Sequence, residues 1–222
     1  MKKLSLIIIS GLYLFTTSAF AEIGVNIGVS GSAGIFGATA KETHTTTATG
    51  STTADSASEI AAVGYGSIFL EKEFGIITVG VDYVPTPFES ETAETQKYDD
   101  QTANPAAAAV TAVVNKVQVD LTDLTTMYVG LNVTENAYVR FGYATMDVET
   151  NETLGTGSSY GNTSLDGTVY GVGYQKDLDA MFIRVEGTYM DFDGVSLTAN
   201  DNTIKLKNLD GLTGKLSIGK SF

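Results

Sequence analysis

Along most of the chain apolar residues fall on every second position, in runs separated by stretches rich in Thr, Ser, Ala, Asn and acids. A period of two is the spacing of a strand with one apolar face. Ile23, Val25, Ile27 and Val29 alternate with Gly24, Asn26, Gly28 and Ser30. A second strand is expected over 59–72, with Ala61, Val63, Tyr65 and Phe69 on its apolar side, and a tight turn over 71–75. In the third, Ile77, Val79, Val81 and Tyr83 alternate with Thr78, Gly80 and Asp82. The fourth lies within 117–133 and carries Met127, Val129, Leu131 and Val133 on one parity. Asp123 breaks its pattern, so the part above is expected to stand clear of a membrane. Later strands set Val139, Phe141 and Tyr143 against Arg140 and Gly142, and Tyr170, Val172 and Tyr174 against Gly171, Gly173 and Gln175. Met181, Ile183, Val185 and Tyr189 then oppose Arg184, Glu186 and Thr188, and Leu212, Leu216, Ile218 and Phe222 oppose Thr213, Lys215, Ser217 and Gly219.

That makes eight strands. Their connections alternate long and short, with long ones expected over 38–58, from Pro85 onward, over 149–166 and over 191–202. Asn104-Pro105 in the second is a helix-start signal, Asn as N-cap and Pro at the first helical position. Short turns on one side and long connections on the other are the habit of bacterial outer-membrane barrels. A soluble sandwich also alternates, but its outer face carries many charges. Here the second face is small and polar, with Gly24, Gly28, Gly80, Gly142, Gly171, Gly173 and Gly219. Small residues suit the crowded interior of an eight-stranded barrel. The expected fold is therefore all-β, an eight-stranded antiparallel up-and-down transmembrane β-barrel with four long outer loops and short periplasmic turns. Tyr65, Phe69, Tyr83, Tyr138, Phe141, Tyr143, Tyr170, Tyr174, Phe182, Tyr189 and Phe222 fall near strand ends and are expected to form interfacial girdles.

The first residues change the picture from a strand-rich chain to an exported one. Lys2 and Lys3 precede an apolar run over 4–15, and Ala19-Phe20-Ala21 supplies a small-x-small cleavage site. This reads as a signal peptide over 1–21, cut between Ala21 and Glu22, followed by one barrel domain over 22–222. The run is shorter than the roughly 20 apolar residues that a helical anchor needs. There is no Cys, which argues against a disulfide-stapled secreted domain. Without the two leader lysines, 11 basic residues face 26 acidic ones, which makes nucleic acid an unsuitable partner.

The chain resembles the small eight-stranded outer-membrane barrel families, the opacity-type proteins and the transmembrane domain of outer membrane protein A. The resemblance covers 22–222 and rests on the leader, the strand rhythm, segments such as Ala137-Tyr138-Val139-Arg140-Phe141-Gly142-Tyr143 and Val169-Tyr170-Gly171-Val172-Gly173-Tyr174, and the final Phe222. It implies a Gram-negative outer membrane as location, with its lipid and lipopolysaccharide as surroundings. It also implies periplasmic chaperones and a barrel-assembly machinery that reads Phe222. Lys220 departs from the family, standing where an aromatic is common. No periplasmic domain follows the barrel, so peptidoglycan anchoring is not implied.

Candidate chemistry is sparse. The one histidine, His44, lies in the Thr-rich segment between Glu42 and Thr45, away from any serine nucleophile in a fixed array. No phosphate loop and no His/Cys metal set stands out, so neither an enzyme, a cofactor nor a transition-metal site is expected. Asp82, Arg140, Arg184, Glu186 and Lys215 share the small-residue face and are of both signs, which lets them pair across the lumen. They read as an electrostatic plug, or as the lining of a narrow porin-like path for ions or small and apolar solutes. The acid-rich outer segments read as a solvated surface, or, in a second reading, as a place for divalent cations or a host or surface ligand. The leading function is structural and surface display, adhesion included; the alternative is the channel.

Overall fold

The computed structural model describes residues 24–46, 51–89, 93–99, 111–153, 160–199 and 202–222. The leader with Ala19 and Ala21, Ile23 and the Asn104-Pro105 helix signal lie outside them. The strands are β1 (Val25–Thr46), β2 (Ser51–Phe74), β3 (Ile77–Tyr83), β4 (Phe88–Glu89), β5 (Ala93–Asp99), β6 (Thr111–Asn132), β7 (Ala137–Thr153), β8 (Thr163–Leu178), β9 (Met181–Phe192), β10 (Val195–Ala199) and β11 (Asn202–Ser221). Eight of them, β1-β2-β3-β6-β7-β8-β9-β11, form an antiparallel ring that closes through β1 and β11. The short β4 and β5 pair with β6 and continue the β3 position upward, while β10 pairs with β11 and continues β9. The protein is an eight-stranded up-and-down transmembrane barrel.

The register fixes its stagger. From Val81 the ladder runs through Met127, Tyr143, Thr168, Asp191, Asp210 and Gly37 to Ile60. Val81 itself pairs with Leu70, so one circuit climbs β2 from Leu70 to Ile60, a stagger of ten residues. Closure with stagger tilts the strands and, among the described residues, leaves no free edge in the lower ring.

The exterior is apolar around the lower barrel: Val172 is 64 % exposed, Leu216 60 % and Val185 58 %. Such a belt is stable only against lipid. Above it the faces exchange character. On β7 the outward residues pass from Phe141 and Tyr143 to Asp147 and Glu149, while the inward ones pass from Arg140 to buried Ala144, Met146 and Val148. Tyr143, Tyr170 and Tyr189 face outward at this crossover. Above it the interior is an apolar core of Tyr65, Val84, Leu124, Met146, Val148, Leu165, Met190, Phe192 and Leu209, with Phe36, Val119, Leu121 and Leu206 against it.

Two bulges keep apolar side chains inside through the exchange. Thr122 pairs with Asp147 and Thr125 with Thr145, so β6 holds one extra residue, and Asp123 there has φ 54°. On β11 the pairs Gly37–Asp210 and Thr39–Lys207 likewise leave one extra residue, near Asn208 with φ 52°. Asp and Asn tolerate this left-handed region better than other non-glycine residues. Each extra residue flips the parity of the strand beyond it, so Leu121 and Leu206 point inward where a regular strand would turn them out.

The structure corrects the sequence-based expectations in four places. Where they are described, the segments expected as long outer loops are largely strands that rise beyond the membrane; Thr and Ser are tolerated in strands, and their abundance reports solvation rather than irregularity. The turn expected over 71–75 is only Gly75-Ile76, because β2 runs to Phe74. The faces of β2 are reversed: Tyr65, Ser67, Phe69 and Glu71 are buried inside, and Ile68 and Leu70 face out. The aromatics do not all form girdles, since Tyr65, Phe69, Tyr138 and Phe182 lie within the lumen and Phe222 is buried.

The inward rings have a structural cause. Phe36, Phe69, Tyr128, Tyr138, Phe182 and Phe192 each stand directly across the ladder from a glycine: Gly211, Gly28, Gly80, Gly173, Gly219 and Gly167. A Cβ on Gly173 would come within 2.2 Å of the Tyr138 ring, and one on Gly219 within 2.3 Å of Phe182. The glycine-rich face is therefore a set of recesses that the rings fill.

Candidate functional site

All eight ring strands send a polar side chain into the lower lumen. β1 supplies Asn26, β2 Glu71, β3 Asp82, β6 Tyr128, β7 Arg140, β8 Gln175, β9 Arg184 and Glu186, and β11 Lys215. Glu71, 1 % exposed, is the hub. Arg184 grips it with two nitrogens, Nη1 to Oε1 at 2.6 Å and Nη2 to Oε2 at 2.9 Å. Arg140 Nη2 reaches Oε1 at 3.3 Å, and the Tyr128 hydroxyl donates to the same oxygen at 2.7 Å. Glu186 is the second acceptor, taking Arg140 Nη1 at 3.1 Å, the Tyr138 hydroxyl at 2.6 Å and the Thr188 hydroxyl at 3.0 Å. Gln175 Oε1 accepts from Arg184 Nε at 3.1 Å and Nη2 at 2.7 Å.

The guanidiniums also lie against rings. The Arg140 carbon is 3.9 Å from the Tyr128 ring centre, and the Arg184 carbon is 4.9 Å from Phe182 and 5.5 Å from Phe69. Planar cations stacked on aromatic faces gain a further attraction when water is excluded. A separate pair, Lys215 Nζ to Asp82 Oδ2 at 2.8 Å, joins β11 to β3. Ser30 and Ser217, also inside the wall, share a hydroxyl contact at 2.9 Å.

The five expected lumen residues, Asp82, Arg140, Arg184, Glu186 and Lys215, all lie buried inside the wall. Arg140 meets Glu186 and Lys215 meets Asp82, while Arg184 reaches neither acid of that set and binds Glu71. Sequence reading missed Glu71, Tyr128, Tyr138 and Gln175. One signal was available: the expected set held three cations and two anions, and a dry lumen needs a third anion. Glu71 makes it three against three.

The bore is filled at two levels. Beside the ion pairs a void of about 20 Å³ remains, lined by Glu71, Tyr128, Tyr138, Arg140 and Arg184 among others; that is room for about one water. Above lies the apolar core. A concavity of about 760 Å³ is lined mainly by outward residues, Leu70, Val79, Met127, Val129 and Phe141 among them.

Phe222, Lys220 and His44, also singled out in the sequence, have definite places. Phe222 closes the ring, its N–H donating to the Val25 carbonyl at 2.8 Å and its carbonyl accepting the Val25 N–H at 3.2 Å. Lys220, the departure from the family pattern, holds its ammonium 4.8 Å from the Phe222 ring centre. His44 falls on β1, near the top of the β1–β2 hairpin.

No protein-family model matches the sequence, and no curated protein matches it. Solved structures do. The attachment invasion locus protein Ail of Yersinia pestis, in complex with the heparin analogue sucrose octasulfate, is similar at 13 % identity over 88 % of this chain and 99 % of its own, with TM-score 0.36. Neisserial surface protein A is similar at 12 % identity over 90 % and 97 %, with TM-score 0.39. The outer membrane protease OmpT from Escherichia coli is similar at 8 % identity over 93 % and 99 %, with TM-score 0.40.

Proposed function

We propose that this chain is an exported outer-membrane barrel with a closed bore, and that its work is done by the β-structured crown that it holds outside the membrane: surface display, with adhesive contact as the class of activity. The leader cut after Ala21 would direct export, and Phe222 would be read by the assembly machinery. The observation that carries the reading is the double filling of the bore. An ion on a porin-like path would first have to cross the core around Leu124, Met146, Leu165 and Met190, which offers it no ligands. It would then have to part Glu71 from Arg140 and Arg184. By contrast the crown is built at length, with β1 and β2 running to Thr46 and from Ser51, and its outward face is polar.

Planar-bilayer recording tests this. The refolded protein is expected to give no reproducible unitary conductance at moderate voltage and physiological salt. Stable steps of one size in the unaltered protein would overturn the closed-bore reading and favour the channel.

A further inference from the structure

The outside of a closed barrel is convex, yet on one side of this wall it is hollow. The concavity of about 760 Å³ lies on the lipid side of β2, β3, β6 and β7. The register makes it a trough. Val79 and Val81 of β3 stand opposite Val129 and Met127 of β6 and form its floor. Leu70 and Lys72 of β2 flank the floor on one side, and Phe141 and Tyr143 of β7 flank it on the other. Three of the four floor residues are valines, shorter than the side chains of either rim. Behind the floor the wall can bow inward, because Tyr128 stands between Gly80 and Gly142 across its two ladders. A Cβ on Gly80 would come within 2.6 Å of the Tyr128 ring.

A hollow within the apolar belt is closed to water and is filled by hydrocarbon. Three inter-strand steps of about 4.8 Å separate the rims, which leaves room for two hydrocarbon chains side by side. One outward lining residue is charged. Lys72 has Val25 and Val79 across its two ladders and Leu70 and Phe74 along its strand. Its ammonium lies 5.8 Å from the Phe74 ring centre, on the side of the Gly75-Ile76 turn. Glu71 and Glu73, its chain neighbours, turn into the lumen, to Arg184 and Asn26. The trough thus presents a cation on its rim and no outward acid. A cation on the lipid face is costly at the bilayer midplane and cheap where its stem carries it to the headgroup phosphates. A second copy of this face would bring a second Lys72 to the trough and again no acid, so the charge favours a lipid over a dimer.

We infer that the trough binds one diacyl glycerophospholipid of the periplasmic leaflet, its chains along β3 and β6 and its phosphate on Lys72. The ammonium and the phosphate make a charge-assisted contact, and the chains fill a hollow that the side chains leave open. The choice of leaflet rests on the outward orientation of the crown proposed above; the binding itself does not.

Native mass spectrometry of the full barrel, released from detergent after titration with dioleoylphosphatidylglycerol, reads the site as a one-to-one adduct. Val129→Phe fills the floor and is expected to remove the adduct. Lys72→Gln is expected to weaken it about fivefold, the equivalent of roughly 1 kcal/mol for one lysine beside a lipid phosphate. Dioleoylglycerol, with the same chains and no phosphate, is expected to bind the wild type about as weakly as the phospholipid binds Lys72→Gln. Val185→Phe, outward on β9 across the ring, is expected to leave the adduct unchanged. An undiminished adduct in Val129→Phe or in Lys72→Gln overturns the site. So do adducts that Val185→Phe reduces as much as Val129→Phe does. Two controls separate this from failure of the functional reading: migration of every variant as a folded band before boiling, and labelling on intact cells of an epitope inserted after Thr46, which reports the orientation alone.

Discussion

At the scale of single residues the decisive group is Glu71. It carries one negative charge in a lumen where Arg140 and Arg184 both point at it. Removing it leaves two buried guanidiniums facing each other without the carboxylate that they share. Breaking a buried ion pair by removing one partner costs about 3–5 kcal/mol, and Glu71→Ala is expected to fall in that range. Urea unfolding in vesicles measures it. Arg184→Ala in the same background is expected to recover part of the loss, since it relieves the uncompensated charge; strict additivity of the two costs would contradict the coupling. This residue also shows where sequence reading stops. Alternation identifies a face but not which face is inside. On β2 the outward side is small over Ala62, Gly64 and Gly66, before Ile68 and Leu70, and the inward side there holds Val63, Tyr65 and Phe69. Ranking by apolarity therefore chose the wrong side and left Glu71 in a turn. The arginines were easier, because their neighbours on the same parity were small or polar.

At the scale of elements, six inward rings are each matched to one glycine across the ladder, while Tyr65 stands opposite Ser32. Whether a glycine can be replaced thus depends on its partner and not on its being in a strand. Gly173→Ala drives a methyl into Tyr138, whose hydroxyl is also committed to Glu186. A loss of about 1–3 kcal/mol is expected from such overpacking. Gly187 lies on the same barrel, and a methyl placed there would meet nothing within 4 Å. Gly187→Ala is expected to be neutral or stabilising by up to about 1 kcal/mol. Thermal midpoints of the folded gel band for the two variants check the contrast, and equal effects would contradict it. Most strands were legible from their period, and so was the disturbance at Asp123. The rise of the strands beyond the membrane was not. Above the crossover the apolar parity moves inside and a bulge shifts it, so a constant period with one constant face no longer describes the chain.

At the scale of the whole molecule the wall is a ring below and two blades above. Among the described residues, β2 above Ile68 pairs only with β1, and β10 pairs only with β11. The crown is thus β2-β1-β11-β10 on one side and the β4 and β5 segments with β6, β7 and β8 on the other. The apolar core lies between them, with Phe36, Tyr65 and Leu209 from the first and Leu124, Met146 and Leu165 from the second. The lower ring has no such division. A chain shortened to end at residue 201 lacks the strand that meets both β9 and β1. It is expected to lose the folded band entirely rather than to form a smaller barrel, because the ten-residue stagger has no other closure. Electrophoresis before and after boiling reads this directly, and a residual compact band would argue for a seven-stranded state.

The seam where Phe222 bonds to Val25 also sets a schedule. The serines that meet across it, Ser30 and Ser217, are 187 residues apart in the chain. Contacts of that separation are slow to form, since the entropy of the intervening chain is lost before they stabilise anything. Until β11 arrives, β1 and β9 present raw hydrogen-bonding edges, and the sheet they border is apolar on the side meant for lipid. Before closure these edges are open to pairing with other chains, and β11, the last strand, decides when that vulnerability ends.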